Sequence, residues 1–283
     1  MAVPRSSVAI IVGILLAMNC IGAQETSAPT ELGKRDLWDS NFLNKRPPGK
    51  GKTLPKTNDD ALVGITLWRL RPSNSNDDPG VRSLIHDDDQ TREWTPERIQ
   101  ADTALHENDK VRLSIESARK GYLYVIDRDE YADGSKSDPY LIFPTLKLRG
   151  GLNAVSAGTL VEIPSQDDSP PYFRMRRSRP DQRAELLTIL VTPRPIENLQ
   201  IGLGRLQLDS SQVAAWDRRW RTTLHRLDAP EGGPGQTYTP TEKEAGSGHK
   251  MLTQDDPTPE TLYRLDARPG VPLLIDLQLR IAK

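Results

Sequence analysis

The chain has 283 residues, with 38 basic against 39 acidic side chains and only 36% hydrophobic residues. A charge balance this close to neutral supplies no global pull toward nucleic acid or a membrane surface. With 23 prolines and 20 glycines, much of the chain is expected in loops, although the length suffices for one large domain or two small ones.

At the N-terminus Arg5 precedes an apolar run from Val8 to Met18, and the small residues Gly22 and Ala23 follow, which is the three-part layout of a secretory signal. The run is about a dozen residues, short of the ~20 that a bilayer-crossing helix needs. No transmembrane span is therefore expected after signal cleavage. Ile21 and Ala23 suit a cut before Gln24, making residues 1–23 a signal peptide and the protein an exported one, periplasmic or extracellular. An uncleaved anchor is one alternative. A lipoprotein with Cys20 as its lipidated first residue is another, but Ala17-Met18-Asn19 lacks the small residue such a signal prefers beside the cysteine. Cys20 is the only cysteine, so its removal excludes disulfides, thiol catalysis and cysteine-ligated metal.

Residues 24–58 are polar, with Pro47, Pro48 and Pro55 and with Lys45, Lys50, Lys52 and Lys56 among glycines. They read as a flexible linker, since such a segment buries too little apolar surface to offset ordering entropy. Residues 59–283 read as one domain. Leu62 to Leu70 carries apolar groups on both faces and predicts a strand buried on two sides. Residues 73–109 are acidic and irregular, with a short helix expected from Pro96. Next, Val111, Leu113 and Ile115 alternate with Arg112, Ser114 and Glu116, and Tyr122 to Ile126 follows Lys120-Gly121, which reads as two strands joined by a short turn. Asp133-Gly134 marks a further turn. Strands are expected at Tyr140 to Phe143, Leu160 to Ile163 and Glu185 to Val191, each closed by a proline.

One amphipathic helix is predicted, capped by Asp209 or Ser210, with Val213, Trp216, Trp220, Leu224 and Leu227 in an apolar stripe and Arg218, Arg219, Arg221 and Arg226 on the remaining surface. Residues 229–259, rich in Pro and Gly, read as an exposed insertion with one helical turn near Thr241 to Ala245. Leu273, Ile275, Leu277, Leu279 and Ile281 then predict a closing strand that returns to the same domain. Short strands at this spacing describe a mainly β fold, an antiparallel β-sandwich or barrel with one packed helix and long loops.

Five runs carry a family resemblance: GITLWRLR at Gly64 to Arg71, GYLYVID at Gly121 to Asp127, YLIFPT at Tyr140 to Thr145, NAVSAGTLVEIP at Asn153 to Pro164 and LLTILVTPRP at Leu186 to Pro195. Together with LTQDDPTPETLYR at Leu252 to Arg264, they resemble the bacterial family catalogued as domain of unknown function 4384 (DUF4384), in its secreted single-domain type. The resemblance spans Ala61 to Lys283. It implies an immunoglobulin-like β fold met at cell envelopes, and it transfers no active site, because the family has no established catalytic residues.

Carboxylates concentrate at Asp127, Asp129, Asp133 and Asp138, in one hairpin loop. Calcium takes six to eight oxygens, and aspartates around a glycine turn can supply them. EF-hand spacing fails, since Tyr131 stands where an oxygen ligand belongs, so a solvated turn is the alternative. His86-Asp87-Asp88-Asp89 reads as an acidic loop, and the histidines at 86, 106, 225 and 249 show no ligand spacing. There is no GxSxG elbow, and Gly202-Leu203-Gly204 lacks a phosphate-loop context.

Charge is uneven: Tyr172 to Leu227 holds eleven arginines against five acids, whereas Asn74 to Asp109 holds ten acids against three arginines. Either the two regions neutralise each other, or Arg174, Arg176, Arg177 and Arg179 face an anionic partner. Nucleic acid is not expected, for want of interleaved aromatics. The sequence thus reads as a non-enzymatic envelope or extracellular module that binds a protein or glycan partner and needs no cofactor. The alternatives are a calcium-stabilised module and a hydrolase built from scattered carboxylates, which a cleft holding two carboxyls of displaced pKa would favour.

Overall fold

Successive side chains of a strand point to opposite faces, so an apolar alternation commits one face to burial. In the computed structural model, which describes residues 45–49, 61–87, 90–228 and 233–282, these alternations form two antiparallel sheets facing one another. The predicted signal peptide lies outside the described residues, as does the predicted linker except for residues 45–49.

Strands β1 (Leu62–Pro72), β2 (Ser83–Asp87), β3 (Gln90–Ile99) and β4 (Lys110–Ser117) open the first sheet, and β5 (Gly121–Tyr131), β6 (Tyr140–Phe143) and β7 (Ala154–Val155) open the second. The chain returns to the first sheet with β8 (Leu160–Ile163) and β9 (Phe173–Arg174), then crosses back for β10 (Gln182–Thr192) and β11 (Leu206–Gln207). Helix α1 (Ser210–Trp220) precedes β12 (Leu224–Asp228), and helix α2 (Pro240–Gly246) precedes β13 (Thr261–Leu265), both strands joining the first sheet. Finally β14 (Leu273–Arg280) joins the second. One edge of β1 pairs first with β13 and then with β3, while the other pairs with β4. In the second sheet β10 lies between β5 and β14. Val63, Ile65, Leu113, Ile115, Leu123, Val125, Leu187, Ile189, Ile275 and Leu277 meet between the sheets in one core. The mainly β antiparallel sandwich expected from the sequence is the fold observed.

Three local expectations are corrected. Pro96 does not start a helix but sits in β3 opposite Leu70. β4 and β5 do not form a hairpin: the chain between them crosses from one sheet to the other. That crossing is tight at Gly121, where an added Cβ would lie 2.4 Å from the Thr192 carbonyl oxygen. Finally, the predicted helix stops at Trp220, and Leu224 and Leu227 belong to β12.

Asp209 caps α1 by accepting from the backbone N–H groups of Ser211 and Gln212. Trp216 and Trp220 stack at 5.6 Å and pack on the outer face of the second sheet with Ile126 and Leu190. Asp209→Ala should lower stability, read as a fall of the urea midpoint at constant slope.

The largest departure concerns residues 229–259. Among the described part of this stretch, Tyr238, Glu242, Ala245 and Leu252 are buried, because the segment covers the outer face of the first sheet. Arg112, Ser114 and Glu116, polar and solvent-facing by their alternation, are consequently buried as well. Buried polar groups must find partners. Trp68 Nε1 donates to Ser114 Oγ at 2.8 Å, and Arg112 pairs with Glu162 at 3.3 Å, which also accepts from the Tyr238 hydroxyl. Arg98 pairs with Glu242, the residue that closes the capping box of α2 with Thr239.

Residues 45–49 also dock here. Arg46, 2% exposed, grips both oxygens of Glu116, with Nε at 2.9 Å and Nη2 at 2.7 Å. Its Nη1 donates to the carbonyls of Thr253, Asp256 and Pro257. At these five positions the flexible-linker expectation gives way to a docked strap. Among the described residues, no helix is long and apolar enough to cross a membrane.

Candidate functional site

The inward alternation of the second sheet continues past the end of the core. On β5 Leu123 and Val125 are followed on the same face by Asp127 and Asp129, and on β10 Ile189 and Leu187 are preceded by Glu185. The register sets Glu185 opposite Asp129 and Leu187 opposite Asp127. Three carboxylates therefore stand between the sheets at one end of the sandwich. There they line an open cleft of about 520 Å³, with Val111 and Leu113 of β4 and Phe173 among its apolar wall.

Their environments differ. Asp129 accepts from Ser178 Oγ at 2.6 Å and Gln182 Nε2 at 2.8 Å. Asp127 Oδ1 is buried without a hydrogen-bond partner. Burial, reinforced by the neighbouring charge of Asp129 and partly countered by Arg205, pushes the Asp127 carboxyl up to about 7. Burial, then the charges of Asp127 and Asp129, pushes Glu185 up to about 8. The two thus exchange protons as an interacting pair near neutral pH. At the rim stand Lys147, Arg176 and Arg205, with the Arg205 guanidinium 4.1 Å above the Tyr140 ring. Lys147 and Arg176 are exposed and make no ion pair among the described residues.

The four aspartates predicted to hold calcium do not converge. Asp127 and Asp129 follow the strand inward, whereas Asp133 is occupied at the hairpin tip by the N–H and hydroxyl of Ser135, and Asp138 by Gln207 Nε2 at 2.8 Å. Among the described residues, no three His, Cys, Asp or Glu side chains gather as a cation site would need. His86 bonds instead to Thr91.

The four arginines of the stripe have different surroundings. Arg174 pairs with Asp87, which also receives the Tyr172 hydroxyl at 2.6 Å and Lys110 at 3.0 Å. These partners, led by Tyr172, hold the Asp87 carboxyl below its ordinary range. Acidic and basic segments neutralise each other at this point. Arg177 donates to the carbonyls of Pro180, Gln182 and Ala282, and Arg179 pairs with Asp181 and lies 3.9 Å above the Tyr131 ring. Of the four arginines, Arg176 and Arg179 are exposed, and of these two Arg176 lines the cleft.

The structure therefore joins Asp127, Asp129 and Arg176, from two separate sequence features, with Glu185, Lys147 and Arg205, which sequence reasoning missed. For Glu185 a signal existed: it occupies an inward position in the alternation of Leu187, Ile189 and Val191. Lys147 and Arg205 lie on loops, where no periodicity betrays them. Compared with known proteins, the chain matches no family model, and no curated protein or solved structure is significantly similar to it.

Proposed function

We propose that the chain is an exported, non-enzymatic binding module that receives an acidic glycan in the cleft between its sheets. The supporting observation is the meeting of two kinds of group in one open cleft: proton-bearing Asp127 and Glu185, suited to sugar hydroxyls, and the rim cations Lys147 and Arg176, which have no carboxylate of their own among the described residues. Cations left without internal partners favour an anionic ligand. Export is supported by the N-terminal pattern, and the absence of an enzymatic role by the resemblance to an envelope family without known catalytic residues.

Titration calorimetry of the full chain with an oligogalacturonate and with a neutral cello-oligosaccharide tests this. Binding of the first alone is expected, weakened about tenfold, or about 1.4 kcal/mol, in Lys147→Ala/Arg176→Ala. Equal or absent binding of both sugars removes the reading.

A second reading is favoured by the proton affinities themselves. Two carboxyls that exchange protons near neutrality are the equipment of a general acid and base, as in glycoside hydrolysis. New reducing ends accumulating with time, and lost in Glu185→Gln, would replace the binding module with an enzyme.

A further inference from the structure

We propose that the two loops at the cleft mouth, residues 145–152 and 199–205, dock the protein on an anionic lipid surface. Leu146, Leu152 and Leu203 are 49%, 72% and 64% exposed. They form one projection, because Leu146 N–H donates to the Gly202 carbonyl at 2.8 Å, and an added Cβ at Gly151 would lie 3.2 Å from Leu146 and 4.0 Å from Ile201.

Charge on the projection has one sign. Lys147 and Arg149 lie in the first loop and Arg205 in the second, and neither loop contains an aspartate or glutamate. The neighbouring carboxylate of Asp168 is taken up by the backbone N–H groups of Arg149 and Ser165. Leucines on loop tips, ringed by cations without acids, match the boundary of an anionic bilayer, where headgroups meet the cations and acyl chains receive the apolar tips. The loop backbones suit that depth, since headgroup water still satisfies their polar groups. Leu203 and Arg205 line both this projection and the cleft, so docking would turn the cleft mouth toward the headgroups. The inference stands apart from the ligand of the cleft.

Co-sedimentation of the full chain with phosphatidylglycerol/phosphatidylcholine vesicles, against pure phosphatidylcholine vesicles, tests it. Binding to the anionic vesicles alone is expected, falling more than about tenfold in Leu146→Ser/Leu152→Ser and again in Lys147→Glu/Arg205→Glu. The leucine pair does not line the cleft, so its folding and its oligogalacturonate binding should stay as in the parent, which separates lipid docking from ligand binding. No binding to anionic vesicles, or binding by the leucine variant equal to the parent's, overturns the proposal.

Discussion

Raising the pH from about 5 to about 9 should lower the unfolding free energy by about 4 kcal/mol, most of it in the range where Asp127 and Glu185 give up their protons. In the folded protein these carboxyls are held near 7 and 8, against 3.8 and 4.5 for the free groups. An acid whose folded pKa is raised binds more protons folded than unfolded throughout that interval, so folding is favoured at the acidic end. The advantage is complete below the unfolded pKa and is lost as pH climbs through the folded one. Taken at face value, the shifts correspond to about 4 to 5 kcal/mol each, and water in the open cleft reduces this to about 2 per group. Asp77 and Asp87, whose carboxyls lie below their ordinary range, act in the opposite sense and only in more acidic solution. Urea unfolding across this pH range should therefore show a falling stability that flattens in Asp127→Asn/Glu185→Gln. A parent protein equally stable at both ends would refute the account of the cleft.

Arg112→Met is expected to destabilise the fold by about 4 kcal/mol, because it leaves Glu162 as an uncompensated charge in a place no water reaches. Both members of the pair are 0% exposed, and even with its partner present, burial raises the Glu162 carboxyl above its normal value. The companion Arg112→Met/Glu162→Leu removes both charges and should recover part of the loss, though the Tyr238 hydroxyl then loses its acceptor. Guanidinium unfolding of both variants measures the difference. A double variant no more stable than the single one would mean that packing, rather than the orphaned charge, dominates.

Strands and their inward faces were legible wherever apolar residues alternate, as at Val111 to Ile115 and Leu273 to Leu279, since period two is a local property. Partnership was not legible. Nothing near β4 and β5 in sequence says that they cross to opposite sheets, because pairing is settled by contacts far along the chain. Burial of polar residues was equally hidden: Arg112, Ser114 and Glu116 mimic a wet face, and only the return of residues 233–260 over them makes it dry. The proline- and glycine-rich composition of that segment reports how its backbone bends, not what its side chains touch. The cleft was half legible, as inward parity marks Asp127 and Glu185, whereas the hairpin aspartates drew attention by sequence proximity that the strand does not preserve in space.

The last strands, β13 and β14, finish one sheet each. β13 fills the N-terminal half of one edge of β1, and β14 lies along β10 from Ala184 to Val191. A nascent chain halted at residue 260 would thus carry two unpaired strand edges, one from each sheet, open to pairing with other molecules. Both sheets therefore depend on these two strands, and a chain from which they are removed should aggregate instead of folding as a smaller fragment.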